Sequence, residues 1–386
     1  MMPKKVRRVF ASAPLLTFIV VVAYLYAADI TFVDSGQNLG DGRTFSIALG
    51  DVDGDDDLDA FVTHYVQSNR LWLNDGNGTF TDSGQSLGGS SGHGVALGDL
   101  DGDDDLDAFV VFNTAADRVY VNDGSGTFSD SGQNLGSADD WGTFVSLGDI
   151  DGDGDIDALV GLYQHPNRVW VNGGNANFTD EGQRLGGVES GGMALGDVDS
   201  DTDLDVFLTV NSGADQVWWN DGSGVFTDSG QSLGGTTGHG GVALGDLDGD
   251  DDLDAFVANT EYGSKVFRND GSGLFSDSGQ SLGTSSQKVC LVDVDRDGDL
   301  DAITTHMENG TSIWLNDGTG TFPADQNLDG VNVISVASGD IDADGDFDVF
   351  LGKLDGSGGN KLYFNETNVP TRQSSWGRVK SMYGND

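Results

Sequence analysis

Asp51-Val52-Asp53-Gly54-Asp55-Asp56-Asp57-Leu58-Asp59 places acids at positions 1, 3, 5, 7 and 9 of nine residues, and the pattern starts again at Asp99, Asp149, Asp197, Asp246, Asp293 and Asp340. Carboxylates folded that closely together repel one another unless a cation lies among them. A hard divalent ion fits best: calcium accepts about 6 to 8 oxygens at about 2.3 to 2.6 Å in flexible geometry, within reach of a tight loop. The third-position acids are Asp53, Asp101, Asp151, Asp199, Asp248, Asp295 and Asp342, and the fifth-position acids are Asp55, Asp103, Asp153, Asp201, Asp250, Asp297 and Asp344. Asp57, Asp105, Asp155, Asp203, Asp252, Asp299 and Asp346 stand at position 7, and Asp59, Asp107, Asp157, Asp205, Asp254, Asp301 and Asp348 at position 9. An EF-hand would close with Glu at position 12 inside a helix. Here position 12 is Val62, Val110, Val160, Leu208, Val257, Thr304 and Leu351 in strand-like surroundings, so the ninth-position acid must close the loop.

Loop starts are 48, 50, 48, 49, 47 and 47 residues apart, which makes the body seven copies of one module. In unit two, Val95-Ala96-Leu97-Gly98 enters the loop, Leu106 to Val111 leaves it, Arg118 to Asn122 follows, and Thr127 to Asp130 closes after the turn Asp123-Gly124-Ser125-Gly126. These are short β-branched and aromatic runs bounded by Gly, Asp and Asn, which read as strands. Four strands in each of seven units predict an all-β, seven-bladed β-propeller; an open solenoid is the alternative. The ends favour the ring. Thr31-Phe32-Val33-Asp34 is a fourth-strand segment with no unit before it, and the seventh unit lacks one after Lys361-Leu362-Tyr363-Phe364-Asn365. An N-terminal strand docked into the last blade would pair two edges otherwise exposed.

Trp72, Tyr120, Trp170, Trp218, Phe267, Trp314 and Tyr363 recur at the centre of the third strand, where packing between blades is expected rather than a ligand-stacking ladder. The Asn that follows each, from Asn74 to Asn365, reads as turn chemistry.

Composition agrees with such a body: 60 glycines against 5 prolines in 386 residues indicate a chain of tight turns. The formal charge of −46 excludes nucleic acid as a partner, because phosphate binding needs clustered Lys and Arg. A lone cysteine, Cys290, rules out an internal disulfide. Residues 1–28 put Lys4, Lys5, Arg7 and Arg8 ahead of an apolar run through Leu25, the pattern of an export signal, either cleaved or retained as a membrane anchor. Residues 29–369 then form the ring, and 370–386 a basic tail with Arg372, Arg378 and Lys380. A secreted or cell-surface location follows, with membrane contact only through a retained anchor, and a monomer is expected.

Over about residues 29 to 367 the chain resembles the FG-GAP and VCBS repeats, whose loop D-x-D-x-D-G-x-x-D occurs in integrin α-subunit propellers and in secreted bacterial proteins. The resemblance implies side-chain calcium ligands at positions 1, 3, 5 and 9 and a backbone carbonyl at position 7, with up to seven ions. It also departs from that pattern. Glycine holds position 6 only at Gly154, Gly298 and Gly345; Asp56, Asp104 and Asp251 tolerate a left-handed backbone moderately, and Thr202 does not. Loop four is therefore expected to bind weakest.

Strand alternation puts the acidic loops and glycine turns on one rim and the variable loops on the other, together with His64, His93, His165, His239, His306, Tyr65, Tyr163, Tyr262 and Trp141. No nucleophile with its base is visible, and every recurring carboxylate pair is already assigned to calcium. The reading is a calcium-fastened binding or adhesion module for glycan or extracellular protein. A polysaccharide lyase or hydrolase on the same scaffold, or a purely structural surface protein, are the alternatives.

Overall fold

Strand two of six blades, for example Asp107–Phe112, is buried along its whole length, and that of blade four along all but its last residue, Val210. The strand's two faces press against neighbouring blades, which explains an unbroken apolar run where a one-sided sheet would alternate. The computed structural model describes residues 30–367 apart from 90, 188, 236–237, 309, 324, 329–331 and 355–358. The N-terminal segment 1–28 and the tail 370–386 lie outside the described residues.

Seven four-stranded antiparallel sheets form the molecule. Blade two runs Gly92–Gly98, Asp107–Phe112, Arg118–Asn122 and Phe128–Asp130 from centre to edge, within three residues of the expectation. The first strands of successive blades adjoin one another around a central channel. Blade seven is composite: Val333–Gly339, Asp348–Lys353 and Lys361–Asn365 are completed by Phe32–Asp34, which pairs Phe32 with Asn365 and Asp34 with Tyr363. Lys361 Nζ reaches Asp34 Oδ2 at 2.6 Å across this closure. The ring is closed, and the solenoid is excluded.

Hydrophobic clusters lie between blades rather than within them. Phe109 and Val119 of blade two, for instance, pack with Val160, Trp170 and Phe178 of blade three. Five of the seven seams carry an edge-to-face pair between strand two of one blade and the start of the fourth strand of the next, as in Phe109–Phe178 at 5.2 Å and 85° or Phe61–Phe128 at 5.7 Å and 85°. The recurring third-strand aromatics sit in these seams, Trp218 only partly buried, so they are packing residues. Cys290 lies in strand one of blade six, its thiol pushed up to about 11 by burial.

One feature went unseen in sequence. Every first strand opens with a register shift, as between Gly92 and Gly94 or Ser286 and Val289. A bulge re-aims side chains, and here it does so at the channel mouth.

Candidate metal loops and the opposite rim

Each acidic loop joins strands one and two and hangs from its ninth residue. Asp59 Oδ1 accepts the N–H of Asn74 at 2.8 Å and Oδ2 that of Val52 at 3.2 Å, and the same two bonds recur in all seven loops. The first residue folds the loop around itself: Asp51 Oδ1 accepts from Gly54 and Asp55, and Oδ2 from Asp56. Asp55 Oδ1 accepts from Asp57 at 3.1 Å. In five loops the third residue is left over, whereas in loops three and six Asp151 and Asp295 Oδ1 accept from the N–H of Asp153 and Asp297. Oδ1 of Asp53, Asp101, Asp199, Asp248 and Asp342 is buried without a hydrogen-bond partner among the described residues.

Carboxylate oxygens of positions 1, 3 and 9 lie within 4.8 Å of one another in loops one to four, and those of Asp246, Asp248 and Asp250 do so in loop five. These clusters could hold a metal ion. Position 7 differs: a Cβ added at Gly76, Gly124 or Gly222 would strike the carboxylate of Asp57, Asp105 or Asp203, so that side chain is directed at its own blade's glycine turn.

The electrostatics disfavour charge on these acids. Burial, opposed by the two backbone bonds, pushes Asp59, Asp107, Asp157, Asp205 and Asp254 up to about 6, Asp348 to about 7 and Asp301 to about 8. Burial followed by the neighbouring fifth-position charge raises the third-position acids as well. Two loops have a guanidinium nearby. Arg268 lies 3.4 Å from Asp248 in loop five, and Arg296 lies 3.6 Å from Asp346, where it joins loop six to loop seven.

Backbone angles refine the expected ranking. Position 6 is left-handed throughout, from Asp56 at φ 70° to Gly298 at 101°, and so is position 4, from Ala343 at 59° to Gly102 at 80°. Loop three has glycine at both positions and four others plus loop two at one. Loop four has it at neither, with Ser200 at 64° and Thr202 at 82°.

The recurring Asn is more than turn chemistry, which corrects the sequence reading. Asn122 Nδ2 donates to Leu106 O of its own loop at 3.2 Å and to Val52 O of the preceding blade's loop at 2.8 Å. All seven blades make the second kind of bond, from Asn74 to Ile341 O through Asn365 to Val294 O. A glutamine in the segment after strand four adds another tie. Gln85 Oε1 accepts from Phe128 N and Nε2 donates to Gly126 O of the next blade, and Gln37, Gln133, Gln183, Gln231 and Gln280 repeat this. Its recurrence ahead of a buried leucine was the signal for it in sequence. The acidic loops are thus tied into the seams.

On the other rim, loops after strand two bond to loops after strand four, as in Tyr163 N to Trp141 O at 2.9 Å and Asn211 N to Glu189 O at 2.8 Å. The face assignment from sequence therefore agrees with the geometry. His64, His93 and His306 stand at the edges of these loops, as expected, but none of the three is exposed. His64 and His306 are buried strand ends, their Nδ1 atoms turned to carbonyls of Ser68 and Thr284, and His93 belongs to a first strand. The exposed set is aromatic: Trp141 and Tyr163 stack at 5.9 Å and 16°, both well exposed, and Tyr262 is exposed on blade five. Arg168 holds the Trp141 loop by a two-pronged pair to Asp140 at 2.6 and 2.8 Å.

The model of the family described as FG-GAP-like repeat matches residues 51–110, 107–160, 149–208, 197–257, 246–304 and 293–351. No curated protein matches the chain. Among solved structures it is similar to the BP39L lectin from Burkholderia pseudomallei, with 15% identity, TM-score 0.65, and coverage of 83% of this chain and 98% of that one. It is also similar to BBS1N, solved in complex with ARL6DN, at 9% identity, TM-score 0.61, and coverage of 88% and 98%. At these identities the likeness is one of fold.

Proposed function

The chain belongs to the FG-GAP-like repeat family, and on that premise we propose that it is an exported, calcium-fastened binding module whose ligand, a glycan or an extracellular protein, meets the rim opposite the acidic loops. The observation that carries the metal part is the unpartnered buried Oδ1 at position 3 beside converging first- and ninth-position carboxylates. A buried anionic oxygen without a donor is costly, and a cation at that point would satisfy it. Residues of positions 1, 3, 5 and 9 would hold the ion, and the donors are all oxygen, which suits calcium over softer metals. Calcium would neutralise the cluster and so fix the joint between neighbouring blades. At about ten times its dissociation constant each filled loop adds roughly 1.4 kcal/mol.

Export is read from the basic-then-apolar segment Lys4 to Leu25. The ligand part is supported by the Trp141–Tyr163 pair, a flat aromatic platform on variable loops of a rigid scaffold, and by the lectin among the structural neighbours. Thermal melting with and without chelator tests the first part: the midpoint should fall on chelation and recover with calcium but not with sodium, and an unchanged midpoint refutes it. Glycan-array binding by the intact ring, lost in Trp141→Ala, tests the second. An array without a hit, together with a screen of surface proteins without one, removes it.

A further inference from the structure

A cavity of ≈ 390 Å³ occupies the channel mouth, lined by the opening residues of all seven first strands together with Tyr163, Asn211, Thr260 and Met307. First strands run from this rim toward the acidic loops, so the cavity lies on the rim away from the metal sites. The residues displaced by the seven bulges line it, and they differ from blade to blade: Phe45, His93, Thr143, Gly191, Gly240-Gly241, Gln287-Lys288 and Ile334. Had the channel been mere filler, a seven-fold packing solution would have served it, as it serves every seam.

Lys288 is the informative member. In a chain of net charge −46 its ammonium has neither a carboxylate nor a hydrogen-bond acceptor among the described residues. Its one described companion is the ring of Phe144, 5.5 Å below. Burial lowers its pKa for want of compensation. His93 shares the wall, stacked on Phe45 at 4.2 Å with Nδ1 3.0 Å from Thr143 O, and burial together with Lys288 holds the ring down to about 4, so it adds no charge at neutral pH. The mouth therefore offers one uncompensated cation above an aromatic and aliphatic wall of Phe45, Phe144, Met193 and Ile334.

We infer that the channel mouth is a binding site for a small monocarboxylate with an aromatic or apolar body, its carboxylate on Lys288 Nζ and its body against Phe45 and Phe144. The volume is at the small end of ligand pockets, about 300 to 1,000 Å³, and a few convergent polar groups in an apolar concavity are what such sites present. The inference does not rest on glycan or protein recognition by the outer loops, and its test does not involve them.

Isothermal titration of the calcium-loaded ring with phenylacetate and with its neutral isostere phenylacetamide reads the charge requirement on the unaltered protein. Phenylacetate should bind one per chain and at least about tenfold more tightly than the amide, and equal affinities, or no binding of phenylacetate at millimolar concentration, overturn the inference. Acetate binding as tightly as phenylacetate overturns the assignment of the body to the apolar wall. Lys288→Met should abolish phenylacetate binding while leaving the melting midpoint of the unliganded ring the same or higher, and Lys288→Arg should retain binding. Undiminished binding in Lys288→Met overturns the anchor.

Discussion

Replacing Asn122 by alanine should cost the ring about 2 to 4 kcal/mol, far more than its place at the lip of a turn suggests. The side chain is buried, donates to Val52 O at 2.8 Å and Leu106 O at 3.2 Å, and accepts from Asp123 N at 2.9 Å. Each bond is worth about 0.5 to 1.5 kcal/mol net, and carbonyls left buried without a donor carry a further penalty of about 1 to 3 kcal/mol. The adjoining turn is exposed at Asp123, which keeps the sum below the upper limit of those terms. Urea denaturation at saturating calcium measures it, with Asp123→Ala as control, since that exposed side chain serves only its own turn through Ser125 and Thr127. The variant should lose stability at least twofold more than the control. It should also titrate with weakened calcium binding at two loops rather than one, because Val52 belongs to loop one and Leu106 to loop two. A loss under about 0.5 kcal/mol, or one equal to the control's, would refute the view that this residue joins blades.

Thr202→Gly should raise calcium affinity in loop four and add about 0.5 to 1 kcal/mol, the relief of a β-branched residue at φ 82° less the entropy that glycine adds to the unfolded chain; calorimetry showing no gain counts against the strain argument. Asp117 is buried, its Oδ1 accepts from Phe112 N, and burial pushes it up to about 8. With an unfolded value of about 3.9, the folded state holds a proton that the unfolded state has lost between about pH 4 and 8. Stability should then fall as pH rises through that window, by up to about 1.4 kcal/mol per unit. Asp117→Asn should remove that part of the slope and stabilise the ring above pH 7, since Asn69 and Asn167 make the same bond in blades one and three; melting curves at pH 5 and 8 check it. Deleting residues 29–40 should open the ring, because it removes the strand paired with Lys361–Asn365, the Gln37 tie to Phe80 and buried Leu39. An unchanged melting midpoint would contradict closure by that strand.

Periodicity is a property of the chain itself, and it carried most of the fold. A spacing held between 47 and 50 residues over seven copies requires one repeated unit, and an orphan strand at the start matched to a missing one at the end requires a ring. The alternation of acids in Asp51 to Asp59 likewise marked the loop, since few other arrangements tolerate so many like charges. What the sequence could not display were contacts between residues about 70 positions apart. Asn122 and Val52, separated by that distance, meet only because the ring brings blade two against blade one, so the asparagine read locally as a turn residue. Gly54, Ser200 and Ala343 share a left-handed backbone that only the closed loop imposes, and position 4 therefore escaped notice while position 6 did not. The burial of His64 and His306 at the loop edges was likewise hidden, because it depends on the neighbouring strands and not on the flanking sequence. Lys288 gave no signal at all: it is one lysine in a strand until seven bulged first strands converge on a cavity of mixed polar and apolar lining, with its ammonium over the ring of Phe144. The sequence determined the module, its count and its acidic chemistry; convergence in space decided which residues join the modules and which face the channel, because those contacts exist only after the ring has closed.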